Sequence, residues 1–152
     1  MISKQSCEYT VNTIIIGDSK VGKTSIINRL IHDKFSDKVD ITLGVNYNVK
    51  LIDMLKYKVK FQLWDTSGLE SYRAIGRSYY RDADFILLVF DLSKIMNIYS
   101  KLESWIEDFR SLNKNAEIYL IGNKMDLERK ITTNSCMDFA IKYNLNYFEC
   151  SA

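Results

Sequence analysis

The sequence predicts an α/β domain built on a six-stranded, mostly parallel sheet flanked by helices. Short β-rich apolar runs alternate with segments of helical period, the order that βαβ units produce. A glycine-rich loop falls between the first such run and the first helical segment. At 152 residues, 47% hydrophobic and 26% charged, the chain suits one domain with a sizeable core and excludes disorder.

The first strand is read in Tyr9–Gly17, YTVNTIIIG, apolar enough to be buried on both faces. A helix follows from about Lys23, with Ile26, Ile27, Leu30 and Ile31 on one face and His32 at its end. VNYNVKLIDML and KVKFQLW flank a short polar turn and predict an antiparallel hairpin. DFILLVFDL reads as a central strand. The run IYSKLESWIEDFRSL places Ile98, Leu102, Trp105, Ile106 and Phe109 at helical spacing, which assigns Trp105 to the core. EIYLIGN is a fifth strand, Thr132 caps a helix containing Phe139 and Ala140, and NYFECSA is the sixth strand.

The bulk numbers exclude several function classes. A net charge of +2 with scattered basic residues gives no electrostatic footprint for nucleic acid. Lys56, Lys58 and Lys60 alternate with apolar residues, as on the solvated face of a strand. The three cysteines, Cys7, Cys136 and Cys150, form no CxxC pair, so reduced thiols in a cytosolic protein are expected. No apolar run reaches the roughly 18 residues of a membrane-spanning helix.

In a parallel sheet, ligands bind at the carboxyl ends of the strands, and four loops fall there. GDSKVGKT (Gly17–Thr24) fits G-x-x-x-x-G-K-[ST]: backbone N–H groups wrap a phosphate, Lys23 reaches the β and γ oxygens, and the Thr24 hydroxyl ligates Mg²⁺. Asp18, Ser19, Lys20, Val21, Gly22 and Ser25 complete that cradle, with the Lys20 side chain turned to solvent. DTSG (Asp65–Gly68) follows the third strand; Asp65 would hold Mg²⁺, usually through water, and the Gly68 N–H would meet a γ-phosphate. NKMD (Asn123–Asp126) follows the fifth. The Asp126 carboxylate matches the N1–H and 2-amino donors of guanine, which adenine lacks, Asn123 suits the purine N7/O6 edge, and the Lys124 stem can lie over the ring. After the sixth strand, Cys150, Ser151 and Ala152 can offer N–H groups to guanine O6.

These loops, in this order, resemble the small GTPases of the Ras superfamily over nearly the whole chain. LGVNY (Leu43–Tyr47), KFQLW (Lys60–Trp64), YYRDAD (Tyr79–Asp84) and LVFDLS (Leu88–Ser93) are similar to Rab signatures in particular. The resemblance implies a GTP-binding switch that regulates vesicle traffic, with Mg²⁺ as cofactor, GTP and GDP as ligands, and effectors, an exchange factor and a GAP as partners. It makes Thr42 the switch I threonine, a Mg²⁺ ligand when a γ-phosphate is present, and puts Phe35 against guanine. Leu43, Tyr47, Trp64 and Tyr79 match the effector surface; for the three aromatic residues, ordinary hairpin or core packing is the alternative.

The implied catalytic set is Lys23, Thr42 and Gly68, with Leu69 where the family carries the water-orienting glutamine. An isobutyl group has no donor or acceptor, so GTP should bind while hydrolysis and GAP stimulation are largely lost. Two origins are open: an active-state substitution, or a natural chain without the catalytic side chain that acts as a GTP-dependent effector-binding module. Ser67 also replaces the family's alanine, with no consequence legible in sequence. The family continues past this point with a lysine, a final helix and a lipidated tail; residues 1–152 contain none of these. An exposed apolar face on the sheet is therefore expected, and membrane attachment follows only from the family's tail.

The guanine reading is tested by competition. Unlabelled GTP should displace a fluorescent guanine nucleotide from the chain while ATP at the same concentration does not; comparable displacement by ATP would remove the assignment of Asp126.

Overall fold

Ile14, Ile15 and Ile16 end the first strand fully buried because the strand lies inside the sheet, with side chains entering cores on both faces. The computed structural model describes residues 7–38, 40–54, 57–69, 73–94 and 97–152. Along the chain these form β1 (Cys7–Ile16), α1 (Lys23–His32), β2 (Val45–Met54), β3 (Tyr57–Thr66), α2 (Arg73–Arg77), a 3₁₀ turn (Tyr80–Asp82), β4 (Phe85–Asp91), α3 (Ile98–Arg110), β5 (Glu117–Asn123), α4 (Thr133–Lys142) and β6 (Asn146–Glu149). The sheet order is β2-β3-β1-β4-β5-β6, with β2 antiparallel to β3 and every other pairing parallel. The expected architecture is observed.

The period-2 alternation of β1 divides the core. Ile14 and Ile16 join Leu88, Trp105 and Phe109 on the α3 side; Ile15 meets Val21, Ile27 and Val89 on the α1 side. The strand begins at Cys7 rather than Tyr9, since its pairing with β3 starts at Cys7 opposite Tyr57.

Helix α1 begins and ends where the sequence placed it, but its expected apolar stripe is only partly right. The buried line runs through Lys23 and Ile27, and Leu30 is 43% exposed. Asp33 closes α1 in the left-handed region at φ 52°, with its N–H donating to Arg29 O. In α3 all of Leu102, Trp105, Ile106 and Phe109 are buried, with Phe109 edge-on to Tyr80 at 5.3 Å. Thr132 caps α4 by accepting a hydrogen bond from the Ser135 N–H.

The β2–β3 hairpin pairs Tyr47 with Trp64. Lys58 is exposed and Lys60 half-buried, while Lys56 lies outside the described residues. The expected apolar surface appears at the β6 edge: Phe148 is exposed, stacked on Tyr119, which meets the Phe85 ring edge-on. Because β1, β3, β5 and β6 run parallel, the four loops read from the sequence emerge along one edge of the sheet.

Phe109 is fully buried at the centre of the larger core. Phe109→Ala should destabilise the chain by about 3–5 kcal/mol, read from the urea unfolding midpoint. A loss below about 1 kcal/mol would mean that the site closes over the gap.

Candidate functional site

The loop from Gly17 to Thr24 wraps around its own lysine. Lys23 is 6% exposed, and its Nζ donates to Gly17 O and Asp18 O, each at 2.8 Å. Burial pushes its pKa down to about 8, against the opposing pull of Asp65 and Asp18. Gly22 precedes α1 at φ 98°, and a Cβ there would lie 2.2 Å from Asn123 Nδ2. Glycine is therefore required twice over, for the left-handed turn and for the close approach of the β5 loop. Gly68 approaches from the other side: a Cβ on it would sit 2.4 Å from Ser19 N.

Three oxygen-bearing side chains converge beside Lys23. Thr24 Oγ1 donates to Asp65 Oδ2 at 2.6 Å and lies 3.0 Å from Thr42 Oγ1. Asp65 is buried, and its Oδ1 has no hydrogen-bond partner. Burial raises its pKa, and Thr24, Lys23 and Thr42, which favour the carboxylate form, only partly offset that rise. An orphaned buried carboxylate oxygen beside two hydroxyls fits a hard cation. Among the described residues no three His, Cys, Asp or Glu side chains cluster as a metal group. One carboxylate with hydroxyls is a set suited to Mg²⁺, which leaves other positions to phosphate oxygens and water.

A cavity of about 630 Å³ runs from this corner to the β5 and β6 loops. Its walls include Ser19, Lys20, Gly22, Lys23, Thr24 and Ser25 of the first loop. Phe35, Thr42 and Gly68 line it from the segments before and after the hairpin, and Asn123, Lys124, Asp126, Ser151 and Ala152 line the far end. There the Ser151 hydroxyl donates to Asp126 Oδ1 at 2.5 Å, so the last loop orients the carboxylate. Lys124, left-handed at φ 64°, donates to Lys20 O at 2.8 Å and pairs with Asp91 at 2.7 Å. Burial of Asp91 favours its neutral form, but Lys124 and Ser93 outweigh that and lower its pKa.

Several side chains have partners that the sequence did not indicate. The Asp18 side chain turns away from the cavity and accepts from Lys101 Nζ at 2.6 Å and Trp105 Nε1 at 3.0 Å. Val21 is buried in the smaller core. Asn123, 1% exposed, uses its Nδ2 on Val21 O at 2.8 Å, so its amide ties the base-end loop to the first loop. Leu69 is half-buried and does not line the cavity. Ser67 gains the role that sequence left blank: its Oγ accepts the Leu69 N–H at 3.3 Å, and its own N–H donates to Gly44 O. The packing alternative for the aromatic residues is observed: Tyr47, Trp64 and Tyr79 form a ladder with 4.6 Å between successive rings. Trp64 and Tyr79 rest on the core while Tyr47 is 47% exposed, and Leu43 is exposed on the chain leading into β2.

Sequence reasoning missed one network. Arg129 makes a bidentate pair with Glu149, which also accepts from Tyr147 OH at 2.6 Å and Thr133 Oγ1 at 3.1 Å. Glu149 directly precedes the loop that orients Asp126. Arg129 and Glu149 are 20 positions apart, and no local pattern pairs them.

The sequence matches the Ras family over residues 12–152. This chain belongs to the Ras family of small GTPases. Within it the relatives are Rab proteins. Ras-related protein Rab-11A of Dictyostelium discoideum is 38% identical over 99% of this chain and 71% of its own length. Rab-2B of the same organism is 36% identical over 97% of this chain and 74% of its own length. RABA4b of Arabidopsis thaliana is 38% identical over 95% of this chain and 66% of its own length. A Rab-like GTP-binding switch accounts for a phosphate loop, a hard-cation corner and a carboxylate end sharing one cavity. No helix among the described residues is long and apolar enough to cross a membrane.

The Glu149 network predicts an acid dependence in this Rab-family chain. Hydrogen bonding to Arg129 lowers the Glu149 pKa from 4.5 to about 2, against an opposing burial effect, with Tyr147 and Thr133 adding to the lowering. A depressed folded-state pKa contributes stability above the unfolded value that is lost as pH falls from about 4.5 toward 2. Glu149→Gln should be less stable than the unsubstituted chain at pH 7 and should show a shallower decline across that window in pH-dependent urea unfolding. Parallel declines in the two proteins would refute the assignment.

Proposed function

We propose that the chain is a Rab-like GTP switch of vesicle traffic whose hydrolysis is impaired by Leu69. The observation that carries the binding half is the convergence of Lys23, Thr24, Thr42 and the orphaned Asp65 oxygen at one end of the cavity that ends in Asp126. In this reading the loop N–H groups and Lys23 hold the β and γ phosphates, and Gly68 closes on the γ-phosphate. Thr24, Thr42 and Asp65 would hold Mg²⁺, which supplies positive charge against the phosphate oxygens when bound. Asp126, oriented by Ser151, selects guanine, with Ala152 near O6 and Phe35 and Lys124 flanking the base. Asn123 stiffens the site through Val21 O, and the second hydrogen of the same amide nitrogen is available to the purine edge.

The hydrolysis half concerns one side chain. The Ser67 hydroxyl fixes the Leu69 backbone two residues on, at the end of the turn that carries Gly68. The Leu69 isobutyl group can neither orient a water nor answer the charge that develops on the transferring phosphoryl group. The chain therefore persists in its GTP form once loaded. Leu43 and the Tyr47–Trp64–Tyr79 ladder then present the effector surface, rigid because each ring rests on the next. By family resemblance an exchange factor, a GAP and effectors are its partners, on the cytoplasmic side of intracellular membranes, through a lipidated tail beyond these residues.

The Ser67–Leu69 hydrogen bond also favours a second reading, a dedicated GTP-dependent binding module, because the two positions of the turn that it joins both depart from the family. Single-turnover GTP hydrolysis separates the two. Leu69→Gln should raise the rate by roughly a hundredfold, the lower end of the scale for one positioned polar group. An unchanged rate with nucleotide bound would favour the binding module, with Leu69→Gln/Ser67→Ala as the next comparison.

A further inference from the structure

The phosphate-loop lysine is held by two main-chain carbonyls, and one of them belongs to a residue that α3 grips. Asp18 O accepts from Lys23 Nζ at 2.8 Å. The same residue's carboxylate has both oxygens engaged by one helix: Oδ1 by Trp105 Nε1 at 3.0 Å, and Oδ2 by Lys101 Nζ at 2.6 Å. Lys101 and Trp105 are four residues apart, so one face of α3 presents both donors.

Ordinary packing explains the Trp105 ring, which is buried with Leu102, Ile106 and Phe109. It does not by itself satisfy the indole N–H, which needs an acceptor once the ring is buried. Nor is the Lys101 pair an ordinary surface contact. The Lys101 side chain is 55% exposed, and a pair of that kind is worth little by itself. Its carboxylate partner, however, is two-thirds buried and already fixed by the indole. Two donors from different directions set the plane of the carboxylate, and with it the peptide whose carbonyl meets Lys23.

We infer that Trp105 and Lys101 are positioning residues for the phosphate-loop lysine, acting through Asp18 to slow release of a guanosine polyphosphate. The inference rests on the GTP-binding reading above. Loss of either donor frees the Asp18 carboxylate, lets the peptide rotate, and gives Lys23 alternatives to its phosphate-facing pose.

Dissociation of fluorescent GDP into excess GTP with Mg²⁺, followed by stopped flow on the 152-residue chain, tests this. Trp105→Phe keeps the ring and removes the N–H; Lys101→Gln, on an exposed side chain, guards against a core variant that fails to fold. Each should speed release roughly fivefold to tenfold, the worth of one ordinary hydrogen bond, with the unfolding midpoint of Lys101→Gln close to that of the unsubstituted chain. Asp18→Asn should do the same, and combining it with either variant should add little further. Lys101→Arg should restore most of the slow release. Unchanged release in the single variants, or full additivity in the double ones, overturns the inference alone. An unsubstituted chain that retains no guanine nucleotide on chromatography overturns the binding reading and this inference with it.

Discussion

A buried ammonium group organises the site. Lys23 is nearly sealed from water inside a backbone loop, where its charged form is disfavoured unless something answers it. The protein answers with two carbonyls and two nearby carboxylates, and neither is enough to restore the ordinary lysine pKa. The remaining deficit is what a polyphosphate would relieve. The loop is shaped around this group: a left-handed Gly22 lets Asn123 approach, and Gly68 lies against Ser19 so that the turn after β3 closes over the same space.

The surroundings tie that loop to three other elements: the end of β3, the end of β5 with the loop after it, and α3. Asn123 reaches it at Val21 O, Lys124 at Lys20 O, Thr24 is bonded to Asp65, and α3 holds Asp18. Each link joins residues more than 40 positions apart except for short-range contacts within the loop itself. The loop is therefore preorganised by tertiary contacts. The same arrangement engages Asn123 and Asp18 with the protein's own groups. Buried donors and acceptors must be satisfied first, and Asn123 and Asp18 satisfy the protein's own groups.

The aromatic ladder is also built from tertiary contacts. Tyr47, Trp64 and Tyr79 come from β2, β3 and the segment before the 3₁₀ turn, and their rings support one another over the core. Tyr47 lies in the hairpin that begins one residue after Gly44, whose carbonyl accepts the Ser67 N–H. The aromatic ladder and the turn bearing Leu69 thus share a backbone anchor.

The sequence by itself determined the α/β architecture, the order of its elements and which loops lie at the strand ends. These depend on local periodicity and on short motifs whose residues are contiguous, as in GDSKVGKT, DTSG and NKMD. It also identified Leu69 as the odd residue in its turn, since chemistry missing from one position is visible without coordinates. Only the tertiary structure decided where side chains with more than one possible partner point. Asp18 turns to α3, Asn123 to Val21, Glu149 to Arg129, and Ser67 to the Leu69 N–H. The physical reason is that a motif specifies which groups are available, whereas a hydrogen bond depends on which groups the packed sheet and helices bring within about 3 Å.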